Sequence, residues 1–428
     1  MSDPRSSTSS PARAALEPVT RPLAGWRKFQ SDVGPLYAAN GLIGFIFAAT
    51  GPVAVILSVG VAGGLSEAQL ASWIFGCFFL NGLLSIAFCL MYQRPLVFFW
   101  TIPGTVLVGP ALAHLSFAEV TGAFLATGLL MLVLGLLGWV RRLMEAIPMA
   151  IVMGMVAGVF LRFGTDLVFA VRDTALLAVP MILVFLALSA LPAAAKRMPP
   201  LIGALLVGTA LVLAGVGASP AHLPDGAALA REAGRWFAAP LLQEPAFSLQ
   251  AMIELVVPLA ITVLIVQNGQ GIAVLSAVGH PVPINAVTAA CGAMSMATAL
   301  VGAVSTCLTG PTNALIASSG ERSRHYAAGV VVGLLALAFG LLSPLFTRLM
   351  LSTPPAFIAT LAGLAMLRVL QASFVTAFKG RFSLGALVAF VVTVAGLPIA
   401  SIGSPFWGLV FGFAASALLE RDDFKAAP

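Results

Sequence analysis

Charge is what this chain has least of. Only 9% of its 428 residues are Asp, Glu, Lys or Arg, where soluble domains carry about 25%. A soluble globular fold is excluded. Histidine and cysteine are almost as scarce, at four each. Cys77, Cys89, Cys291 and Cys307 all lie in apolar stretches and none forms a C-x-x-C pair. They read as small buried hydrophobes, not as metal ligands or disulfide partners. No HExxH, GxSxG or P-loop pattern occurs, so ATP-driven transport has no support, and no nucleophile–base or metal constellation marks an enzyme. No cofactor and no metal is implied. The first 37 residues are polar and rich in Ser, Pro and Arg, without the basic–apolar–small order of a cleaved signal. They are expected to form a disordered cytoplasmic tail, with a short amphipathic lead-in around Trp26 and Phe29.

What is present is hydrophobic residue, at 60%. Gly (42) and Pro (28) are high for a helical protein, but both are commoner in membrane helices. The class is therefore an all-α polytopic membrane protein. The net charge of +6 sits mostly in tails and short loops, where it sets topology and does not indicate nucleic acid.

A bilayer core takes about 20 apolar residues per helix. Breaking the chain at Pro, Gly and charge clusters gives fourteen segments: 38–61, 68–91, 95–113, 117–140, 147–165, 174–192, 199–217, 251–277, 284–302, 305–319, 325–350, 355–376, 383–399 and 404–419. With the N-terminus inside, the inner loops carry Arg94, Arg141, Arg142, Lys196, Arg197, Arg322, Arg324, Lys379 and Arg381. Outer positions hold Arg162, Arg172, Arg231, Arg235 and Arg348. That bias predicts a plasma (inner) membrane protein with both termini, including the tail 420–428, in the cytoplasm. The one long loop, 218–250, is external. It divides a first repeat (38–217) from a second (251–419). Seven segments is an odd number, so the second half starts in the opposite orientation, which is the arithmetic of an inverted repeat.

Segments three and ten are broken at mid-membrane depth by Thr-x-Pro steps: Thr101-Ile102-Pro103-Gly104-Thr105 and Thr309-Gly310-Pro311-Thr312-Asn313. Paired interruptions in the two halves point to the binding site of a secondary transporter. The residue before a proline avoids the α region, and Pro103 and Pro311 suit the first turn of a half-helix. Two half-helix N-termini, with Thr and Asn side chains beside them, would suit a small anion such as a carboxylate. Segment eight adds Gln267-Asn268-Gly269-Gln270-Gly271, three amides that are costly in hydrocarbon unless they face a cavity or a partner. The run Gly51–Gly60 resembles Gln270–Gly279, which places this cluster opposite the Thr50-Gly51-Pro52 break. The expected substrate-binding set is thus Thr50, Gly51, Thr101, Pro103, Gly104, Thr105, Gln267, Asn268, Gln270, Thr309, Gly310, Pro311, Thr312 and Asn313. Phe45, Phe98, Phe99 and Trp100 are candidates for an aromatic slot. Glu254 lies near the outer end of segment eight, Arg162 and Asp166 are spaced to pair, and Arg368 is close enough to the inner face to snorkel. Small residues crowd segment nine and allow close helix approach.

The chain resembles the benzoate transporter (BenE) family of proton symporters. The likeness is carried by Arg94-Pro95 leading to Trp100-Thr101-Ile102-Pro103-Gly104, by Gly122-Ala123-Phe124, Gly138-Trp139 and Ile147-Pro148, by Ala157 to Gly164, by Gln267-Asn268, and by Phe406-Trp407-Gly408-Leu409-Val410. It implies the seven-plus-seven inverted-repeat fold shared with nucleobase and sulfate/bicarbonate carriers. In that fold a core domain (segments 1–4 and 8–11) moves against a gate domain (5–7 and 12–14), and segments three and ten combine a short strand with a half-helix. It also implies uptake of benzoate or a similar aromatic acid with a proton, and a homodimer. From the residues themselves no acid sits clearly at the midplane, so a coupled proton would be carried by the substrate carboxylate or by Glu254. Segment ten departs from the family, reading Gly302-Ala303-Val304-Ser305-Thr306 at its start, and Thr309-Gly310-Pro311-Thr312 looks closer to the sulfate-carrier branch. Asn268 and Asn313 stand where nucleobase carriers use acids, which argues against a nucleobase. The alternatives are an inorganic-anion or bicarbonate-like carrier of the same fold, or an anion channel.

Overall fold

The computed structural model describes residues 16–20, 22–140, 148–191, 198–216, 236–318, 320–399 and 402–425. All fourteen expected segments occur among them, in an all-α membrane fold with segments three and ten broken. Segment one is two helices, Pro35–Ala49 and Gly51–Ala62, meeting at Thr50 (φ −96°, ψ −95°). Pro52 lacks the N–H that would continue the ladder to Ala48. Segment two runs Glu67–Tyr92 and segment four Phe117–Leu137. Each starts in a capping box, Ser66 with Gln69 and Ser116 with Glu119. Segments five to seven are Met149–Asp173, Ala175–Ala190 and Pro200–Leu213. Segment eight spans Leu249–Ala277 and contains two π-helical stretches, Met252–Val256 and Thr262–Asn268. Segment nine is Ile284–Ala299. The expected single run 325–350 is instead two helices, His325–Leu341 and Ser343–Leu351, because Pro344 cannot donate to Gly340. Segments twelve to fourteen are Pro355–Phe378, Ser383–Ala395 and Ser404–Leu419.

The breaks in segments three and ten meet. Strands β1 (Phe98–Trp100) and β2 (Thr306–Leu308) pair antiparallel, with Phe98 opposite Leu308, Phe99 opposite Cys307 and Trp100 opposite Thr306. The pairing has a local two-fold: Thr101 N–H donates to Ser305 O (3.0 Å) and its counterpart Thr309 N–H to Val97 O (3.2 Å). Half-helices Ile102–Ala111 and Gly310–Ile316 then run away from the strands.

Segment twelve packs along five, five against thirteen, six against seven, and thirteen against fourteen. Separately, segment four packs along nine, and eleven against one and two. The 218–250 loop is described only from Trp236; there it crosses the ends of segments two, four, nine and eleven through Leu241 N–H to Ser72 Oγ (2.9 Å), Ala246 N–H to Ala118 O (2.9 Å), Gln243 N–H to Leu300 O (2.8 Å) and Ala238 N–H to Leu341 O (2.7 Å). At the opposite face, the stretch expected to be disordered tail is seated from Leu16 onward. Glu17 Oε1 and Oε2 accept from Asn285 N–H (3.1 Å) and Ala286 N–H (2.9 Å), capping segment nine from outside its own helix. Thr20 bonds Met91 O and Tyr92 O, helix Trp26–Asp32 follows, and Asp32 Oδ2 accepts from Tyr326 Oη (2.8 Å). Arg141, Arg142, Lys196, Arg197 and residues 1–15 lie outside the described residues.

Two predictions follow from this packing. Segments four and nine touch backbone to backbone: a Cβ on Gly292 would collide with the Leu132 nitrogen, and one on Gly128 would lie 2.8 Å from the Met296 nitrogen. Gly292→Ala must part the helices, and is expected to lower stability by about 1–3 kcal/mol, measured as a lower Tm in detergent. At the seated-tail face, loop residue His280 lies 3.1 Å from His325. Burial, His325, Arg322 and Arg94 push it from 6.5 down to about 4. The folded state therefore holds fewer protons there than the unfolded chain. Its stabilising contribution is complete above about pH 6.5 and is lost as pH falls towards about 4. His280→Gln should flatten that acid limb of a Tm-against-pH curve.

Candidate functional site

The strand pair is buried among the helices, and its outer backbone groups have only one strand neighbour. Side chains supply the rest, as they must where water is absent. Asn268 Oδ1 accepts from Leu308 N–H (2.7 Å). Asn313 Oδ1 accepts from Val97 N–H (3.0 Å), and its Nδ2 donates to Val97 O (3.1 Å) and Thr309 O (2.7 Å). Ser85 Oγ accepts from Phe98 N–H (2.9 Å), and Ser295 Oγ accepts from Thr306 N–H (2.9 Å). Thr306 Oγ1 donates to Asn81 Oδ1 (2.7 Å). Asn268 and Asn313 are fully buried and do not line the cavity. Their amides hold the broken segments together.

Beside the strands lies a cavity of about 800 Å³. One wall is Phe99, Trp100, Ile102 and Pro103 from segment three with Thr309, Pro311 and Thr312 from segment ten. Segment eight contributes Val266, Gln267, Gly269, Gln270 and Ala273, a face with the i, i+3, i+4, i+7 spacing of one helix side. The facing wall comes from segments five, six and twelve, including Met153, Phe160, Phe185, Ala365 and Arg368. The lining continues to Met149, Pro199, Pro200 and Thr376, towards the end of segment twelve that precedes Lys379 and Arg381. The lining is mostly apolar, and Arg368 is its one charged side chain among the described residues. Trp100 is 3% exposed, and its Nε1–H has no hydrogen-bond partner among the described residues. A buried donor without a partner is rare in folded proteins.

Of the residues expected from sequence, Pro103, Gln267, Gln270, Thr309, Pro311 and Thr312 line this cavity. Thr50 lines an adjoining one of about 350 Å³ with Asn40, Phe47 and Pro199, and its hydroxyl is spent on Ile46 O (2.9 Å). The others shape the wall from behind. Thr101 Oγ1 caps segment three's half-helix by accepting from Gly104 N–H (3.1 Å), and Thr105 Oγ1 donates to Thr101 O (2.9 Å). A Cβ on Gly104 would strike Thr101, and one on Gly51 would strike Ala365 of segment twelve. A Cβ on Gly310 would lie 2.6 Å from Gln270 Cγ, so Gly310 leaves the space that Gln270 fills over the start of the second half-helix. That half-helix is only seven residues long, against ten for the first, so the two dipoles are unequal. Phe99 and Trp100 line the cavity as expected, whereas Phe98 packs against Phe88 and Phe45 against Phe78 and Phe339. Sequence reasoning assigned Arg368 to snorkelling and passed over Phe160 and Phe185. The usable signal for Arg368 was an ionisable side chain within a membrane segment.

Comparison with known proteins matches this arrangement. The sequence model described as "Benzoate membrane transport protein" (BenE) covers residues 31–418. The chain is 28% identical to "Inner membrane protein YdcO" of Escherichia coli (strain K12), over 89% of this chain and 95% of that protein. It is 25% identical to the "Benzoate membrane transport protein" of Acinetobacter baylyi, over 89% and 94%. In fold it is similar to the transmembrane domain of the cyanobacterial bicarbonate transporter BicA (TM-score 0.57, 17% identity, 88% of this chain and 97% of that one). It is likewise similar to murine Slc26a9 in the inward-facing state (TM-score 0.56, 14% identity, 90% and 68%).

The role of Asn313 gives a prediction. Asn313→Ala orphans buried Val97 groups at about 1–3 kcal/mol each. Asn313→Asp retains the acceptor for Val97 N–H but loses both donated bonds. Both variants are expected to melt below wild type in detergent, Asn313→Asp by less because it keeps the acceptor for Val97 N–H. With fourteen segments, paired broken helices and a match over nearly its whole length, the chain belongs to the benzoate membrane transport protein (BenE) family.

Proposed function

We propose that this transporter imports a small aromatic carboxylate, benzoate or a close relative, together with a proton, by alternating access. The observation that carries the reading is the cavity's composition: aromatic and aliphatic walls, two glutamines, an unpartnered indole N–H and a single guanidinium. A bare inorganic anion would gain nothing from Phe99, Trp100, Phe160 and Phe185. A phenyl ring that buries about 100 Å² there gains about 2.5 kcal/mol. The carboxylate is then offered charge-assisted bonds by Arg368, with Trp100 Nε1–H and the glutamine amides close to the half-helix starts. The printed name of the Acinetobacter baylyi relative supports the same substrate class.

In this reading segments 1–4 and 8–11 form a core that holds the half-helices, and segments 5–7 and 12–14 form a gate that carries Arg368. The cavity faces the cytoplasm, because its lining reaches towards the basic Lys379–Arg381 turn, and both termini lie on that side. A ligand between Arg368 and the half-helices would bridge core and gate, so its binding energy bears directly on their relative position.

The test is uptake of radiolabelled benzoate into proteoliposomes, with and without an inward proton gradient, with sulfate and bicarbonate as competitors. Gradient-driven accumulation blocked by unlabelled benzoate and indifferent to the inorganic anions is expected. Arg368→Gln should raise KM about ten- to fiftyfold, the loss of one charge-assisted contact. Lys at 368 should recover only part, since it lacks the planar fork. Transport of sulfate or bicarbonate with no benzoate uptake would overturn the substrate assignment.

A further inference from the structure

Segment eight carries a second polar feature, at the end away from the Lys379–Arg381 face. Glu254 lies in the π stretch Met252–Val256 and is 6% exposed. Its Oε2 is 2.9 Å from Nε2 of His114, in the turn that follows the segment three half-helix. The His114 side chain is itself 32% exposed. The other carboxylate oxygen meets segment fourteen: a Cβ on Gly403, the residue that precedes that helix, would lie 2.5 Å from Glu254 Oε1. Three segments thus converge on one buried carboxylate. Among the described residues, Glu119 in the first turn of segment four is electrostatically linked to His114. Ile102–Ala111 and Ser404–Leu419 contribute no ionisable residue. Glu254 does not line the cavity. It stands roughly 20 Å along the same helix from Gln267, at about 1.5 Å per residue.

A carboxylate is held at such a place only with a partner, and π distortions recur at functional positions of helices. We propose that Glu254 and His114 form the proton-binding site of this transporter, reached from the face opposite the cavity mouth and sealed by segment fourteen through Gly403. The inference rests on the proton-coupled reading above. His114 takes one proton from water on its free ring nitrogen. Its Nε2–H then passes to Glu254 Oε2, which leaves a neutral imidazole and a neutral carboxyl, so one proton enters and one is stored. The neutral carboxyl is the form that an apolar seam accepts more readily. Loading the proton therefore favours closure of Gly403 over it, and with it opening of the cavity on the other side.

The experiment uses the full chain in proteoliposomes with labelled benzoate. Gradient-driven accumulation and gradient-free counterflow are measured side by side. Glu254→Gln keeps the shape and cannot titrate. It is expected to cut accumulation at least about tenfold while counterflow falls far less. His114→Gln, at a partly exposed position, should shift the external-pH profile of uptake. Accumulation by Glu254→Gln with the wild-type dependence on the gradient would overturn the proposal. If that variant loses counterflow as well, His114→Gln decides: an unchanged pH profile overturns it. Infrared difference spectra on lowering pH separate this idea from the substrate assignment. A protonated-carboxyl band that Glu254→Gln removes, in a protein that shows no benzoate counterflow, would leave the proton site standing and the substrate reading refuted.

Discussion

Backbone that leaves the helix inside a bilayer has no water to bond, and the antiparallel pairing of β1 with β2 is how this fold meets that constraint. Neither broken segment can exist without the other. Each strand bonds its partner along one edge, and Asn268, Asn313, Ser85 and Ser295 serve the remaining groups. Those side chains come from segments two, eight, nine and ten, so four helices are fixed around one short ladder. The half-helices inherit their directions from it, and the cavity is the space their first turns leave open.

The segment pattern was legible because it rests on local signals. Hydropathy over about 20 residues finds a span, and a proline in its first turn marks where a half-helix starts. All fourteen segments, both broken ones and the kink at Thr50-Gly51-Pro52 come from such signals. Pro344 was the same kind of signal and was absorbed into too long a run. The site was legible only to the level of its segments. Asn268 and Asn313 carry the functional-group chemistry of a binding site, but the need to satisfy buried strand N–H groups claims them first. That need appears only once β1 and β2 are known to be neighbours. Arg368 and Phe160 were readable as residues but not as cavity lining, because the face a membrane helix turns inward is chosen by its neighbours. The His114–Glu254 pair joins positions far apart in sequence, and no local pattern announces it.

The cavity wall divides its chemistry unevenly between the two packed groups of helices. Neutral donors and half-helix starts lie on the side of segments three, eight and ten, and the guanidinium lies on segment twelve. The two halves of the local two-fold are also unlike in detail. Thr101 caps its half-helix with its own side chain, whereas Thr309 makes no such bond and its carbonyl instead accepts from Asn313 Nδ2. A symmetric scaffold thus presents an asymmetric surface, charged on one wall and neutral on the other.

The ends of the chain are moored to different groups of helices. Glu17, Thr20 and Asp32 tie the leading residues to segments two, nine and eleven. At the other end, Glu420 and Asp423 accept from Leu384, Gly385 and Phe382 N–H groups and fasten the trailing residues to the start of segment thirteen. Any sliding of one group past the other therefore changes the separation of the two termini. A pair of spectroscopic labels placed near Leu16 and Lys425 would act as a ruler across the seam, on residues that do not line the cavity.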